Sequence, residues 1–98
     1  MKPRKGEIAE PEPRFALGDV LITSNAALQL DMMQVARSIR RHVRGDWGDV
    51  CTEDENANDV ALVDGERIVS VYGDGAFKFY IITEADRSVT TVLMPEDY

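Results

Sequence analysis

Apolar residues recur at intervals of three and four before Gly65 and at intervals of two after it. A helix repeats every 3.6 residues and a strand every two, so this change of period divides the chain into a helical half and a β half. Upstream, Met32, Val35, Ile39 and Val43 fall on one helical stripe. Asp31 stands where a carboxylate accepts the first free N–H groups, and Gly45 where a helix stops. Arg37, Arg40, Arg41 and Arg44 take the opposite face, partly in the last turns, where the helix dipole favours cations. Ser24-Asn25 signals an earlier helix start, and the boundary between these first two helices stays open. Thr52-Glu53-Asp54-Glu55 has the form of a Thr cap followed by acids, which predicts a helix to about Val63 that ends at Asp64-Gly65. Downstream, residues 67–72, 77–83 and 89–94 are rich in β-branched and aromatic types. Gly73-Asp74-Gly75 reads as a hairpin turn, and residues 85–88 as a tight connection. A short strand at residues 20–22 precedes the helices.

The pattern therefore predicts an α+β fold, in which a short N-terminal strand and two to three helices pack on one face of a C-terminal antiparallel meander of three to four strands. Alternation assigns Val69, Val71, Phe77, Phe79, Ile81, Val89, Thr91 and Leu93 to the helix-covered face. It leaves Ser70, Tyr72, Lys78, Tyr80 and Thr90 on an open one. Residues 1–14 carry three prolines and alternating charges without apolar period and read as a flexible leader, so the single domain is expected to span residues 15–98.

A chain of 98 residues buries only about 60–65% of its unfolded surface, so its core is small. One cysteine, Cys51, excludes an internal disulfide. No apolar run approaches the roughly 20 residues of a membrane helix, and the basic N-terminus lacks the apolar stretch of a secretion signal, which points to the cytoplasm. The net charge of −7, from 18 acids against 11 bases, argues against general nucleic-acid binding, which rests on neutralising phosphates. The charge is segregated: the arginines of residues 37–44 are followed at once by Asp46, Asp49, Glu53, Asp54, Glu55, Asp59, Asp64 and Glu66. The spacing of these acids does not match a calcium loop, and there is no second histidine or cysteine for zinc, so neither metal nor cofactor is expected.

Two segments hold most of the chemistry-bearing residues. Residues 41–49 contain the only histidine, His42, and the only tryptophan, Trp47, with Asp46 and Asp49. Residues 81–88 contain Thr83 and the pair Asp86-Arg87. His42 is the natural acid–base candidate, since imidazole titrates nearest neutrality. It projects close to Val35, however, at the edge of the apolar stripe, where a histidine is more often held by a carbonyl or by Asp46. Arg67 and Arg87 could clamp a phosphate or carboxylate; alternatively Asp86-Arg87 is an ion pair that fixes its turn, with Thr83 and Ser88 bonding locally. Trp47 reads as a core or hinge anchor as well as a contact residue. Asp46, Asp49, Tyr72, Lys78, Tyr80 and Arg87 complete the candidate binding set.

Residues 41–49, Asn58, residues 65–72 and above all the closing run of residues 81–98 resemble a family of short bacterial proteins called hypothetical or plasmid-related, sometimes restriction-modification accessory proteins. The resemblance covers residues 17–98. It implies a plasmid or mobile-element context and no defined chemistry.

Three functions follow as expectations. The first is a binding or regulatory module whose partner is a protein or a second copy of the chain, and it rests on acidity, charge segregation and the lack of a complete catalytic motif. The second is an RNA-cleaving domain like barnase or the colicin ribonucleases, in which His42 is acid or base, Arg67 and Arg87 hold phosphate, and Thr83, Tyr80 or Thr90 assists; it is an analogy of element order alone. The third is a DNA mimic whose acids in residues 46–66 stand in for phosphates.

Overall fold

In a computed structural model, residues 12–98 are described. They form an α+β fold of four strands and three helices. The order is β1 (Asp19–Ile22), α1 (Ser24–Gln29), α2 (Met32–Val43), α3 (Thr52–Asp64), β2 (Ile68–Tyr72), β3 (Phe79–Thr83) and β4 (Val89–Leu93). Most of the predicted leader, residues 1–11, lies outside the described residues. Arg14 does not behave as leader, because its N–H donates to the Val43 carbonyl at 2.8 Å and ties the incoming chain to the end of α2.

The helix boundaries follow local chemistry. Thr23, rather than Ser24, caps α1, its hydroxyl accepting from the Ala26 N–H at 3.0 Å. Asp31 caps α2 through the Met33 N–H at 2.8 Å, as its position predicts, and this cap separates the first two helices. The Thr52 cap is not formed: Thr52 is the first helical residue of α3, and the preceding Cys51 makes no side-chain cap bond. Glu53, Asp54 and Glu55 in the first turn complement the dipole instead. Gly65, in the left-handed conformation, ends α3.

The sheet order is β1-β4-β3-β2. β2, β3 and β4 form the expected antiparallel meander, and β1 adds to it in parallel with β4, with Asp19 beside Val89 and Ile22 beside Val92, so the sheet is mixed. The turn at residues 73–75 is longer than a tight hairpin. A 3₁₀ turn at Gly75–Phe77 follows Gly73, and β3 begins at Phe79 rather than Phe77.

The register sets the faces, and it reverses part of the assignment by alternation. Ile68, Ser70, Tyr72, Phe79, Ile81, Thr83, Thr90 and Val92 share the helix-covered face, whereas Val69, Val71, Tyr80, Ile82, Thr91 and Leu93 share the other. Alternation misleads here because the buried face carries Ser70, Thr83 and Thr90 and the open face is itself apolar. Two hydrophobic clusters lie on the buried side. One joins Ala26, Leu30 and Val35 to Tyr72, Phe79, Ile81, Val92 and Met94; the other joins Trp47 and Ala61 to Ile68, with Phe15, Val50 and Leu62 around them. The buried residues of α2 are Val35, Ser38 and His42, so its stripe is rotated from the predicted one and Met32 is left exposed.

The outer edge of β2 is closed by side chain and loop. The Val69 N–H donates to Asn58 Oδ1 at 3.1 Å, and Asn58 Nδ2 donates to the Val69 carbonyl at 2.8 Å. One residue pair further on, the Val71 N–H donates to the Trp47 carbonyl at 3.0 Å and the Asp49 N–H to the Val71 carbonyl at 2.7 Å. The loop comes this close only because residue 48 is glycine. Its φ is +75°, and a Cβ there would stand 2.0 Å from the Val71 oxygen. Replacing Asn58 by Ala leaves both Val69 groups without their partner. The expected loss is about 1–3 kcal/mol in urea unfolding with unchanged m, together with faster exchange of the Val69 amide.

Candidate functional site

The two dense sequence segments meet at His42. Its side chain is 0% exposed, and it points from α2 onto the sheet. Nδ1 lies 2.5 Å from Ser70 Oγ on β2, and Nε2 lies 2.8 Å from Thr83 Oγ1 on β3. Thr83 Oγ1 lies 2.7 Å from Thr90 Oγ1 on β4, and Thr90 Oγ1 donates to the Leu17 carbonyl at 2.7 Å. The ring also meets Phe15 edge-on at 5.2 Å and Trp47 at 6.0 Å.

Donor counting from the Leu17 carbonyl fixes the protons as far as the ring, and burial, which keeps the ring neutral, fixes the last. A carbonyl only accepts, so the single Thr90 hydrogen is committed to Leu17, and Thr90 must accept from Thr83. Thr83 has then spent its own hydrogen and must accept from His42 Nε2–H. Nδ1 is left without a hydrogen and accepts from Ser70. The neutral Nε2–H tautomer thus satisfies every group, and no buried side-chain polar atom among the described residues lacks a partner. Burial, and secondarily the positive charge of Arg87, lowers the His42 pKa from 6.5 to about 4.

A hydroxyl donating to an imidazole is also how a nucleophile meets its base. Here the hydroxyl of Ser70 is itself fully buried, and the second nitrogen faces a threonine rather than a carboxylate. No substrate reaches either group in this packing. The arrangement is suited to holding one helix against three strands.

Arg87 is likewise spent inside the fold. It has a positive φ of 61°, unusual for a residue with a side chain. Its Nη1 donates to the carbonyls of Glu66 (2.5 Å) and Glu84 (3.1 Å), its Nη2 donates to the Ala61 carbonyl (2.9 Å), and the guanidinium lies 5.6 Å over the Phe15 ring. The Ala61 and Glu66 carbonyls lie at the end of α3, where the helix dipole favours a cation. Asp86 is not its ion partner. Asp86 Oδ1 accepts instead from the Ser88 hydroxyl and N–H, at 2.6 and 3.0 Å. Arg67 lies on the open face of the sheet, paired with Glu84 at 3.3 Å and donating to the Tyr98 hydroxyl at 3.0 Å. The proposed two-arginine clamp is therefore not assembled: the two guanidinium groups serve opposite faces of the sheet.

The remaining candidates divide between core and surface. Trp47 is 3% exposed, and its Nε1–H donates to Asp59 Oδ1 at 3.0 Å, which places it in the core as an anchor. Tyr72, expected on the open face, is buried on the other, with its hydroxyl on the Asp46 carbonyl at 2.6 Å; burial pushes its pKa up to about 12. Asp46 binds Arg41 through its carboxylate at 2.7 Å, and this bond holds its pKa below the usual carboxylate value. Asp49 and Lys78 are exposed, and Tyr80 is half-buried on the open face, 6.2 Å edge-on to Tyr98. No group of three or more His, Cys, Asp or Glu residues converges to hold a metal among the described residues. Ser70, Thr90 and the Leu17 carbonyl were missed as partners of His42. Their signal in the sequence was the recurrence of hydroxyls at Ser70, Thr83 and Thr90 inside otherwise apolar strands.

No family model, curated protein or solved structure matches the chain.

The depressed His42 pKa makes stability depend on pH in one direction. The unfolded imidazole takes a proton near 6.5 and the folded one only near 4, so the unfolded chain binds more protons between those values. The His42 contribution is fully present above that window and is lost as the pH falls through it, by at most about 1.4 kcal/mol per pH unit. Urea unfolding at a series of pH values should show this fall in wild type. The slope attributable to His42 should vanish in a folded His42→Gln variant, whose baseline stability is lower. Thr83→Val should cost about 1–3 kcal/mol, because it keeps the shape and removes both hydroxyl bonds.

Proposed function

We propose that this chain is a non-enzymatic binding module whose partner is a protein. The observation that carries this reading is the distribution of exposed apolar side chains. Among the described residues, six of the ten large exposed ones fall on β1 and the two helices after it: Val20, Leu21, Ile22, Leu28, Met32 and Met33. Exposed apolar side chains concentrated in residues 20–33, rather than scattered singly along the chain, support an interaction site there. The segregated charge supports the same reading, because the arginines of α2 and the acids of α3 give a partner two surfaces of opposite sign.

The chemistry of the buried histidine supports the reading from the other side. His42 is the only histidine, and both of its nitrogens are bonded inside the core. The RNA-cleaving alternative needs that imidazole in an open cleft beside Arg67 and Arg87, and it draws no support from their positions. The DNA-mimic alternative draws little, because one acid of the set, Asp59, is committed to Trp47 and the arginine face belongs to the same small molecule. A plasmid or mobile-element context remains part of the proposal and rests on the resemblance of residues 41–49 and 81–98.

Affinity capture from the cells that express the chain, comparing wild type with a folded Leu21→Lys/Leu28→Lys/Met33→Lys variant, tests the reading. The expected result is a stoichiometric protein partner, a second copy included, that the variant loses. RNA hydrolysis by the purified chain that His42→Gln abolishes would contradict it. So would identical capture by wild type and variant.

A further inference from the structure

The two edges of the sheet are treated differently. The edge at β2 is closed, since Asn58 and the loop of residues 47–49 occupy the outward N–H and C=O groups of Val69 and Val71. Among the described residues, nothing closes the edge at β1 in the same way. The N–H groups of Asp19 and Thr23 point inward, to the carbonyls of Ser88 and Val92. By the alternation of a strand, the N–H and C=O groups of Val20 and Ile22 point away from the sheet. The side chains there are uncovered as well: Val20 is 46% exposed, Leu21 52% and Ile22 38%. Free edges invite pairing, and proteins that avoid it place lysine, proline or a bulge on them. β1 is Asp-Val-Leu-Ile and carries none of these.

Resting on the binding reading above, we propose that a second copy of this chain pairs with that edge. The two β1 strands run antiparallel about a two-fold axis at Leu21, so that two four-stranded sheets become one. The strand is complementary to itself in this register. Val20 stands opposite the partner's Ile22, and Ile22 opposite the partner's Val20; each pair exchanges two backbone hydrogen bonds, so all the outward groups of both residues are used. Leu21 meets the partner's Leu21 on the open face. The charges also fit, because Asp19 falls opposite the partner's Thr23 and not opposite a second carboxylate. Moving the axis to Ile22 would place Val20 opposite the partner's Ser24, where β1 has already given way to α1. Moving it to Val20 would set Asp19 opposite the partner's Leu21. Only the register on Leu21 sets each of Val20, Leu21 and Ile22 opposite an apolar residue.

The contact is small, and each copy carries a charge of −7, so the dimer belongs to the weak class and should tighten when salt screens the repulsion.

The test combines sedimentation equilibrium of the full chain with a cross-link. Wild type should pass from monomer to dimer in the micromolar range and shift toward dimer at higher salt. Leu21→Lys puts two ammonium groups face to face on the axis and should weaken association about tenfold or more, with urea unfolding confirming that the variant is folded. For the cross-link, the free Cys51 is first removed. Leu21→Cys in a Cys51→Ser background should then oxidise to a covalent dimer, since facing residues of a non-hydrogen-bonded antiparallel pair lie about 4.5 Å apart between Cα atoms, within disulfide reach. Asp64→Cys in the same background, at the far end of α3, should not. A chain that stays monomeric, or a dimer indifferent to Leu21→Lys, or equal cross-linking at residues 21 and 64, overturns the pairing. If a heterologous partner is still captured in that case, the binding reading stands and only the self-pairing at β1 falls.

Discussion

A single imidazole links the layers of this fold. His42 carries a hydrogen bond from α2 to β2 through Ser70 and another to β3 through Thr83, and Thr90 extends the second across β4 to the segment leading into β1. Each bond from the ring to Leu17 has one possible direction, because the last acceptor is a carbonyl, and the neutral ring sets the bond to Ser70. A neutral polar chain with every donor matched avoids the cost of burying unpaired groups, and it specifies how helix and sheet must align. Sliding α2 against the sheet would break two of these bonds together. The apolar clusters around it tolerate such shifts more readily, since packing contacts have no comparable direction.

The same bookkeeping explains why the densest motif is architecture. Residues 41–49 supply the pivot His42, the anchor Trp47 and the carbonyl and N–H groups that close the edge of β2. Arg87 completes the set by neutralising the end of α3. In a chain of 98 residues the core is too small for apolar burial to fix each contact, and directional bonds take a larger share of that work. What remains for interaction is the surface these groups do not use. That surface is unequal among the described residues: β2 is sealed, whereas β1 shows outward backbone groups with no partner there and apolar side chains beside them.

Much of the architecture was legible in the sequence. The change of period at Gly65, the Asp31 cap and the glycine stop after α3 identified the elements, because each rests on local chemistry. Strand pairing was less accessible. Nothing local tells β1 to lie parallel to β4, which is a contact across about 70 residues of chain. Alternation reverses the faces at β2 and β4 for a definite reason: hydroxyls at Ser70 and Thr90 look solvent-facing until the buried chain through His42 and Thr83 supplies their partners. His42 was placed near Val35 on the core side of α2, and its neighbours on the sheet became visible only with the register. Thr52 and Arg87 show the same limit, since a cap motif and an acid–base dipeptide each have a plausible local use that tertiary contacts displaced.

The most direct measurement of this account is the protonation state of His42 by long-range ¹H–¹⁵N NMR on the folded chain. The directed chain of hydrogen bonds predicts a neutral ring, protonated at Nε2 and unprotonated at Nδ1, that keeps this form through neutral pH and takes a second proton only near 4. A ring that titrates near 6.5 with averaged nitrogen shifts would mean that His42 is open to solvent, and the buried link between helix and sheet would have to be abandoned.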